Sequence, residues 1–288
     1  MVEKPRWIKT GLYSDSEESL VKEILENYDL NSVCREANCP NIGECWKQNT
    51  ATFMILGDVC TRNCLFCDVR TGNPNMQVDK EEPERLAKAV KKLGLDYVVI
   101  TSPDRDDLPE GGATQYLRTV EELKKIDMSL LIELLIPDFQ GNHRILEEIA
   151  HSGSKVIGHN IETVEDITPK VRDKKASYDA SLEVLSYLKE INPDILTKSS
   201  LILGMGENRD QITAALKDLR RVGVDIVTLG QYMRPSKEQI PVAKYLTPEE
   251  FQKLQKEALS MGFKAVKSGS FVRSSYKAKE VYENIVSS

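Results

Sequence analysis

Histidine is scarce, aromatic residues are few and long apolar runs are missing. The chain has 3 histidines and 6% aromatic residues, and its longest apolar stretch, LLIELLIP at 130–137, is interrupted by Glu133. A bilayer span needs about 20 apolar residues, so no transmembrane segment is expected. Positive charge is not in excess either: 39 Lys and Arg stand interspersed among 45 Asp and Glu, a net charge of −6. Without a basic stripe the chain is not expected to hold the phosphate backbone of a nucleic acid. The opening MVEKPRWIKTGLYSDSEE mixes acids, bases and a proline around no apolar centre. It reads as neither a signal nor a transit peptide, and a cytoplasmic location is expected.

What is present is a regular beat. The 288 residues, 40% hydrophobic and 29% charged, fit one large α/β domain with modest extensions. Short apolar runs at 52–58, 97–102, 130–137, 155–161, 196–204 and 226–232 predict strands. Amphipathic segments at 83–93, 113–125, 143–151, 177–190, 209–222 and 248–260 predict helices. Acidic residues favour the helix starts, and Gly94, Gly153, Gly223 and Gly262 follow the ends, as left-handed caps do. Six βα units with continuous apolar strands predict a parallel sheet closing into a barrel or part-barrel, with a doubly wound sheet as the alternative. Either way ligands gather at the carboxyl ends of the strands. The expected organisation is an N-terminal extension over 1–51, a repeat over 52–262, and a C-terminal extension over 263–288 with a seventh strand and a final helix.

All six cysteines lie between Cys34 and Cys67, in two triplets: Cys34, Cys39 and Cys45 at x4/x5 spacing, Cys60, Cys64 and Cys67 at x3/x2. In a reducing compartment such crowding reads as metal or cluster ligation, not disulfides. The spacing of the second triplet is also one face of a helix, but polar Thr61, Arg62 and Asn63 and the intervening Leu65 and Phe66 do not suit a buried helical stripe. Structural zinc takes four ligands, and His143, His151 and His159 are remote in sequence. A cubane iron–sulfur cluster explains three: one iron keeps an open coordination position. In the first triplet Pro40 argues against one continuous helix, and a second cluster is the economical reading. Two cubanes closed by thiolates alone need eight cysteines, so each must find one ligand of another kind.

Cys-x3-Cys-x2-Cys, with an aromatic before its last cysteine and on the loop after a first strand, resembles the signature of the radical S-adenosylmethionine (SAM) superfamily. The resemblance implies a (β/α)6 partial barrel in which the open iron chelates SAM and reductive cleavage yields a 5′-deoxyadenosyl radical. The preceding Cys-x4-Cys-x5-Cys, FVRSSYKA at 271–278, and the segments KPRWIK, VITSPDRDDLPEGGA, PDFQG, HNIETV, LGMGE and GQYMRPS resemble the lipoyl synthase family over nearly the whole chain. That resemblance implies a sulfurtransferase that inserts two sulfurs at C6 and C8 of an octanoyl chain borne by a carrier-domain lysine. Those carbons are beyond the reach of acid–base activation, so a radical cofactor is needed. It further implies two 4Fe-4S clusters: one on Cys60, Cys64 and Cys67 that binds SAM, and an auxiliary one on Cys34, Cys39, Cys45 and a serine that is consumed as the sulfur donor. Two SAM are used per lipoyl group.

The serine belongs to the segment Arg273, Ser274, Ser275, Tyr276. The resemblance favours Ser275, while spacing leaves Ser274 open and an ordinary helix cap is the alternative role. Asp104 (with Asp106 beside it), Glu133, Asn160 and Lys198 fall where the family contacts SAM, against the alternative of a salt-bridged rim. The implied partners are an octanoylated carrier, the E2 subunit of a 2-oxoacid dehydrogenase or the H protein of glycine cleavage, a ferredoxin or flavodoxin donor, and a protein that rebuilds the auxiliary cluster. GMGENR at 204–209 has Arg209 where a dinucleotide loop has its last glycine, and reads as a plain turn. Trp7 and Trp46 read as packing residues. Arg234 and Gln239 depart from the Gln and His expected of many relatives, which leaves a carrier-binding role for them unsupported. The competing readings are another two-cluster sulfur-inserting enzyme of the same superfamily and, outside enzymes, an iron–sulfur carrier or a zinc module. The carrier and the module have no use for a full βα repeat with a polar rim.

Overall fold

The beat of apolar runs becomes strands wherever β-branched residues can be covered on both faces. In a computed structural model, residues 3–8, 20–47 and 51–287 are described. Most of the opening stretch that carried the expectation about a leader lies outside them, as does Lys9 of KPRWIK. The chain divides into two compact units, residues 10–63 with 68–155, and residues 1–9 with 64–67 and 156–288.

In the first unit, β1 (Asn31–Ser32) lies antiparallel to β2 (Thr52–Met54). The cysteine-bearing β3 (Val59–Cys60) pairs in parallel with β4 (Arg70–Thr71), apart from the main sheet. Beside β2 run β5 (Tyr97–Thr101) and β6 (Leu131–Leu135), all parallel, in the order β1-β2-β5-β6. Every residue of β2 and β5 is buried, as a strand covered on both faces must be. Helices Glu82–Leu93, Ala113–Ile126 and His143–Ala150 stand within a residue of their predicted limits. Gly94 closes the first of them in the left-handed conformation expected of it, at φ 64°. Ahead of β2 the extension forms three short helices, Leu20–Asn27, Val33–Glu36 and Ile42–Lys47. The break between the last two falls across Ala37–Asn41, where Pro40 forbids a continuous helix.

In the second unit β7 (Val156–Gly158), β8 (Leu196–Leu203), β9 (Ile226–Gln231) and β10 (Ala265–Gly269) run parallel in chain order. β10 is the expected seventh strand and Ala278–Val286 the expected final helix. Helices Tyr178–Ile191, Arg209–Arg221 and Pro248–Ser260 start on side-chain caps: Ser177, then reciprocal capping boxes of Asn208 with Gln211 and Thr247 with Glu250. β8 buries four successive polar residues, Thr197, Lys198, Ser199 and Ser200. Thr197 Oγ1 donates to the Gly223 carbonyl at 3.1 Å, Ser199 Oγ accepts the Ile161 amide at 3.2 Å, and Ser200 Oγ accepts from Thr228 Oγ1 at 2.8 Å. Such partners make the burial tolerable.

Three expectations need correction. The strand predicted over 52–58 stops at Met54, and the chain turns at Leu56 and Gly57 with φ 68° and 82°. The strand predicted over 155–161 stops at Gly158, because Glu162 turns onto β8 with φ 65° and bridges Leu201. Asn160 therefore lies beyond its strand, not on it. Trp46 is buried as a packing residue, but Trp7 is 47% exposed, Ile8 being the buried residue of that segment.

Candidate functional site

The second cysteine triplet sits on non-helical chain, which removes the helical-stripe alternative. Cys60 closes β3, and its carbonyl accepts the Gly72 amide at 2.9 Å. The next residues are pinned by charge. Arg62 is buried and forms two-pronged pairs with Asp106 and with Asp138, at 2.6–3.0 Å, while Asp104 stands 3.3 Å away. Burial alone would favour a neutral guanidine; Asp138 and Asp106 outweigh it and keep Arg62 charged. Thr61 adds a hydroxyl donated to the Asp104 carbonyl at 3.0 Å.

Cys64 and Cys67 form a tight turn, the Cys67 amide donating to the Cys64 carbonyl at 3.1 Å. The Leu65 amide donates to the Val171 carbonyl at 2.7 Å, and the Asp173 amide to Cys64 Sγ at 3.3 Å. From another loop, Ile240 donates its amide to the Leu65 carbonyl at 3.0 Å and Gln239 Nε2 donates to the Cys67 carbonyl at 3.1 Å. Arg234 Nε in turn donates to the Gln239 carbonyl at 2.8 Å. Gln239 and Arg234 are the positions that depart from the expected pattern, and here they brace a cysteine loop. Nothing in their local sequence signals that.

The first triplet is brought together in space. The Cys45 thiol is pushed up to about 12, first by burial and then by Cys34 and Cys39 beside it. Ser32 Oγ accepts the Cys34 amide at 3.2 Å, the Cys39 amide donates to the Cys34 carbonyl at 2.9 Å, and the Cys45 amide to the Asn41 carbonyl at 2.9 Å. Asn38, next to Cys39, donates to the carboxylate of Asp68, next to Cys67. None of the six cysteines is in a disulfide.

Of the rim residues, Glu133 is buried on β6 and accepts the Tyr97 hydroxyl at 2.6 Å. Lys198 is buried on β8. Asp104 and Asp106 belong to the Arg62 network, the rim arrangement weighed as their alternative. Asn160 donates to Glu162 at 3.0 Å, while its own Oδ1 is buried without a partner. Burial raises the Glu162 carboxyl. The family resemblance singled out Asn160 and assigned no role to Glu162, whose signal was its place two residues on in HNIET. In GMGENR the Glu207 carboxylate folds back onto the Gly204 and Met205 amides, at 2.5 and 3.0 Å, and Asn208 caps the next helix. That is the plain turn expected. Arg273, Ser274, Ser275 and Tyr276 lie between β10 and the final helix, Ser274–Lys277 forming a turn with Lys277 at φ 52°.

The Radical SAM superfamily model matches residues 54–230. A lipoyl synthase of Pyrobaculum arsenaticum is 52% identical over 281 residues, covering 97% of this chain and 95% of that one. A lipoyl synthase of Thermus thermophilus is 49% identical over 279 residues, covering 97% and 86%. The chain belongs to the lipoyl synthase family of the radical SAM superfamily. Among solved structures, methylornithine synthase (PylB) superposes with a TM-score of 0.56 at 14% identity over 88% of this chain and 83% of that one, a likeness of fold. The α/β partial barrel expected from the sequence is thus the fold of this lipoyl synthase family member, with its mostly parallel sheet.

The first cysteine triplet fits the kind of group the family implies. Three crowded thiols oppose one another's ionisation, and bound iron would reverse that by supplying the missing positive charge. Among the described residues no three Cys, His, Asp or Glu side chains converge as the ligands of a single ion do. A cubane takes its thiolates on separate irons, so its ligands need not meet at a point. The buried Asn160 Oδ1 is an acceptor awaiting a donor, as a cofactor hydroxyl or ammonium group would provide.

Proposed function

We propose that this radical SAM sulfur-inserting enzyme makes the lipoyl group on an octanoylated carrier domain using two 4Fe-4S clusters. Cys60, Cys64 and Cys67 hold one, leaving an iron for SAM. Cys34, Cys39, Cys45 and Ser275 hold the other, within an N-terminal extension over 1–51 and a C-terminal one over 263–288. The clusters supply an electron for cleavage of the SAM sulfonium and the sulfide that enters the product. The chain's own residues do the positioning: Arg62 and its aspartates fix the loop after Cys60, and the 239–240 segment braces Cys64–Cys67. Asp104, Glu133, Asn160 and Lys198, the positions at which the family resemblance places SAM contacts, are assigned to SAM, and Glu162 hydrogen-bonds Asn160 at 3.0 Å. A serine oxygen binds iron less firmly than thiolate, which suits a cluster that is consumed.

The observation that carries this reading is the gathering of Cys34, Cys39 and Cys45 ahead of β2, in addition to the triplet that follows it. An E2 or H-protein carrier domain, a ferredoxin or flavodoxin donor and a cluster-rebuilding protein are the partners this chemistry calls for, in the cytoplasm. The test is anaerobic reconstitution followed by incubation with dithionite, SAM and an octanoyl-lysine peptide. Mass spectrometry should find two sulfurs added per peptide and two SAM consumed. SAM cleavage with no sulfur added, in protein holding about four irons, would sink the two-cluster reading.

A further inference from the structure

We propose that Arg172 is a positioning residue that tunes the reduction potential of the cluster on Cys60, Cys64 and Cys67, by holding the Asp173 amide against the Cys64 sulfur. The inference rests on the reading that those three cysteines carry the SAM-binding cluster.

Residues 171–173 grip Cys64 from both sides. The Val171 carbonyl accepts the Leu65 amide at 2.7 Å, and the Asp173 amide donates to Cys64 Sγ at 3.3 Å. This short segment follows a four-residue helix, Thr168–Val171, and is closed beyond by the Ala176 amide on the Asp173 carbonyl at 2.9 Å. The Leu65–Val171 bond tethers one end of the segment to the cysteine loop, and the Arg172 guanidinium ties the turn to the elements behind it. Arg172 Nη1 donates to Ser181 Oγ at 2.9 Å and to the carbonyls of Ser177 at 3.3 Å and Ile161 at 3.4 Å. Ser181 is itself buried, donating to the Ser177 carbonyl at 3.0 Å and sharing a hydrogen bond with His159 Nε2 at 3.0 Å. Arg172 thus ties the turn to the first turns of helix Tyr178–Ile191 and to the chain after β7. An N–H donated to a cluster thiolate favours the reduced, more negative state, so it raises the potential.

The test is an EPR redox titration of the full-length, anaerobically reconstituted protein, following the signal that SAM perturbs. Arg172→Ala should lower the midpoint potential and the fraction reduced by dithionite while the iron content stays at the wild-type value. Arg172→Lys should recover part of the shift, and Ser181→Ala should show a smaller shift of the same sign. Lys174→Ala, exposed on the same turn, should titrate as wild type. A wild-type potential in Arg172→Ala overturns the inference. Should that variant lose the cluster altogether, Ser181→Ala at the wild-type potential overturns it equally. Wild-type protein that takes up no SAM-responsive cluster overturns the underlying reading, whereas a normal wild-type cluster with an unmoved Arg172→Ala overturns this inference alone.

Discussion

At Gly230 a hydrogen in place of a methyl group decides whether the C-terminal segment can lie where it does. A Cβ there would sit 2.1 Å from the Val272 carbonyl oxygen and 3.1 Å from its carbon, and neither is a side chain that can swing away. Gly230→Ala should displace residues 272–276 and with them the proposed Ser275 ligand. Iron per chain is expected to fall from about eight to about four, with SAM cleavage retained. Gly269→Ala, whose nearest neighbour is a Val272 methyl at 3.6 Å, should keep the wild-type iron content. The cysteines divide in the same way. Cys60→Ala should abolish SAM cleavage, whereas Cys34→Ala should cleave SAM and insert no sulfur; sulfur insertion by Cys34→Ala would refute the donor role of the first triplet.

At the scale of elements, buried charge holds the loops and strand ends in register. Removing the guanidinium in Arg62→Gln leaves Asp106 and Asp138 buried without their counter-charge. The loss should cost about 3–5 kcal/mol in urea unfolding and should loosen the loop that carries Cys60. Asp225, at the start of β9, is a second anchor: burial would raise its carboxyl, but Lys189 and Lys264, each at 3.0 Å, and the Thr197 amide hold it below its ordinary value of 3.8. A carboxyl depressed in the folded state contributes fully above its unfolded value and loses that contribution as pH falls through the folded one. Asp225→Asn should therefore cost about 1–3 kcal/mol at pH 7. The gap between variant and wild type in urea midpoints should close as pH drops below the ordinary carboxyl value. A gap that stays constant down to pH 3 would show that geometry, not charge, is what Asp225 contributes.

For the whole molecule, the proposed clusters on the two cysteine triplets would make metal content a determinant of stability as well as activity. Crowded, partly buried thiols resist ionisation, as the Cys45 thiol at about 12 illustrates. Ligands that bind only the folded chain stabilise it by mass action. Reconstituted protein should melt above the iron-free form in calorimetry, and chelation under reducing conditions should bring the two together. Equal melting temperatures would mean that the cysteine loops are held without help from the metal.

Much of this was legible in the linear sequence. Four of the six predicted strands and all six helices of the repeat fall close to their predicted limits, and the other two strands are shorter, because hydrophobic period, acidic helix starts and glycine stops are local signals. The cysteine count and spacing marked the two triplets for the same reason: ligand type and separation are written residue by residue. What the sequence left open is contact between residues far apart along the chain. The pairing of Arg62 with Asp138, the reach of Gln239 to the Cys67 carbonyl, the Asp173 amide on the Cys64 sulfur and the need for hydrogen at Gly230 have no local pattern. Composition and spacing thus determined the α/β class and the two groups of cysteines proposed as ligands. Only tertiary packing decided which side chains hold those donors in place, because hydrogen bonds and steric exclusion depend on distances that chain order does not encode.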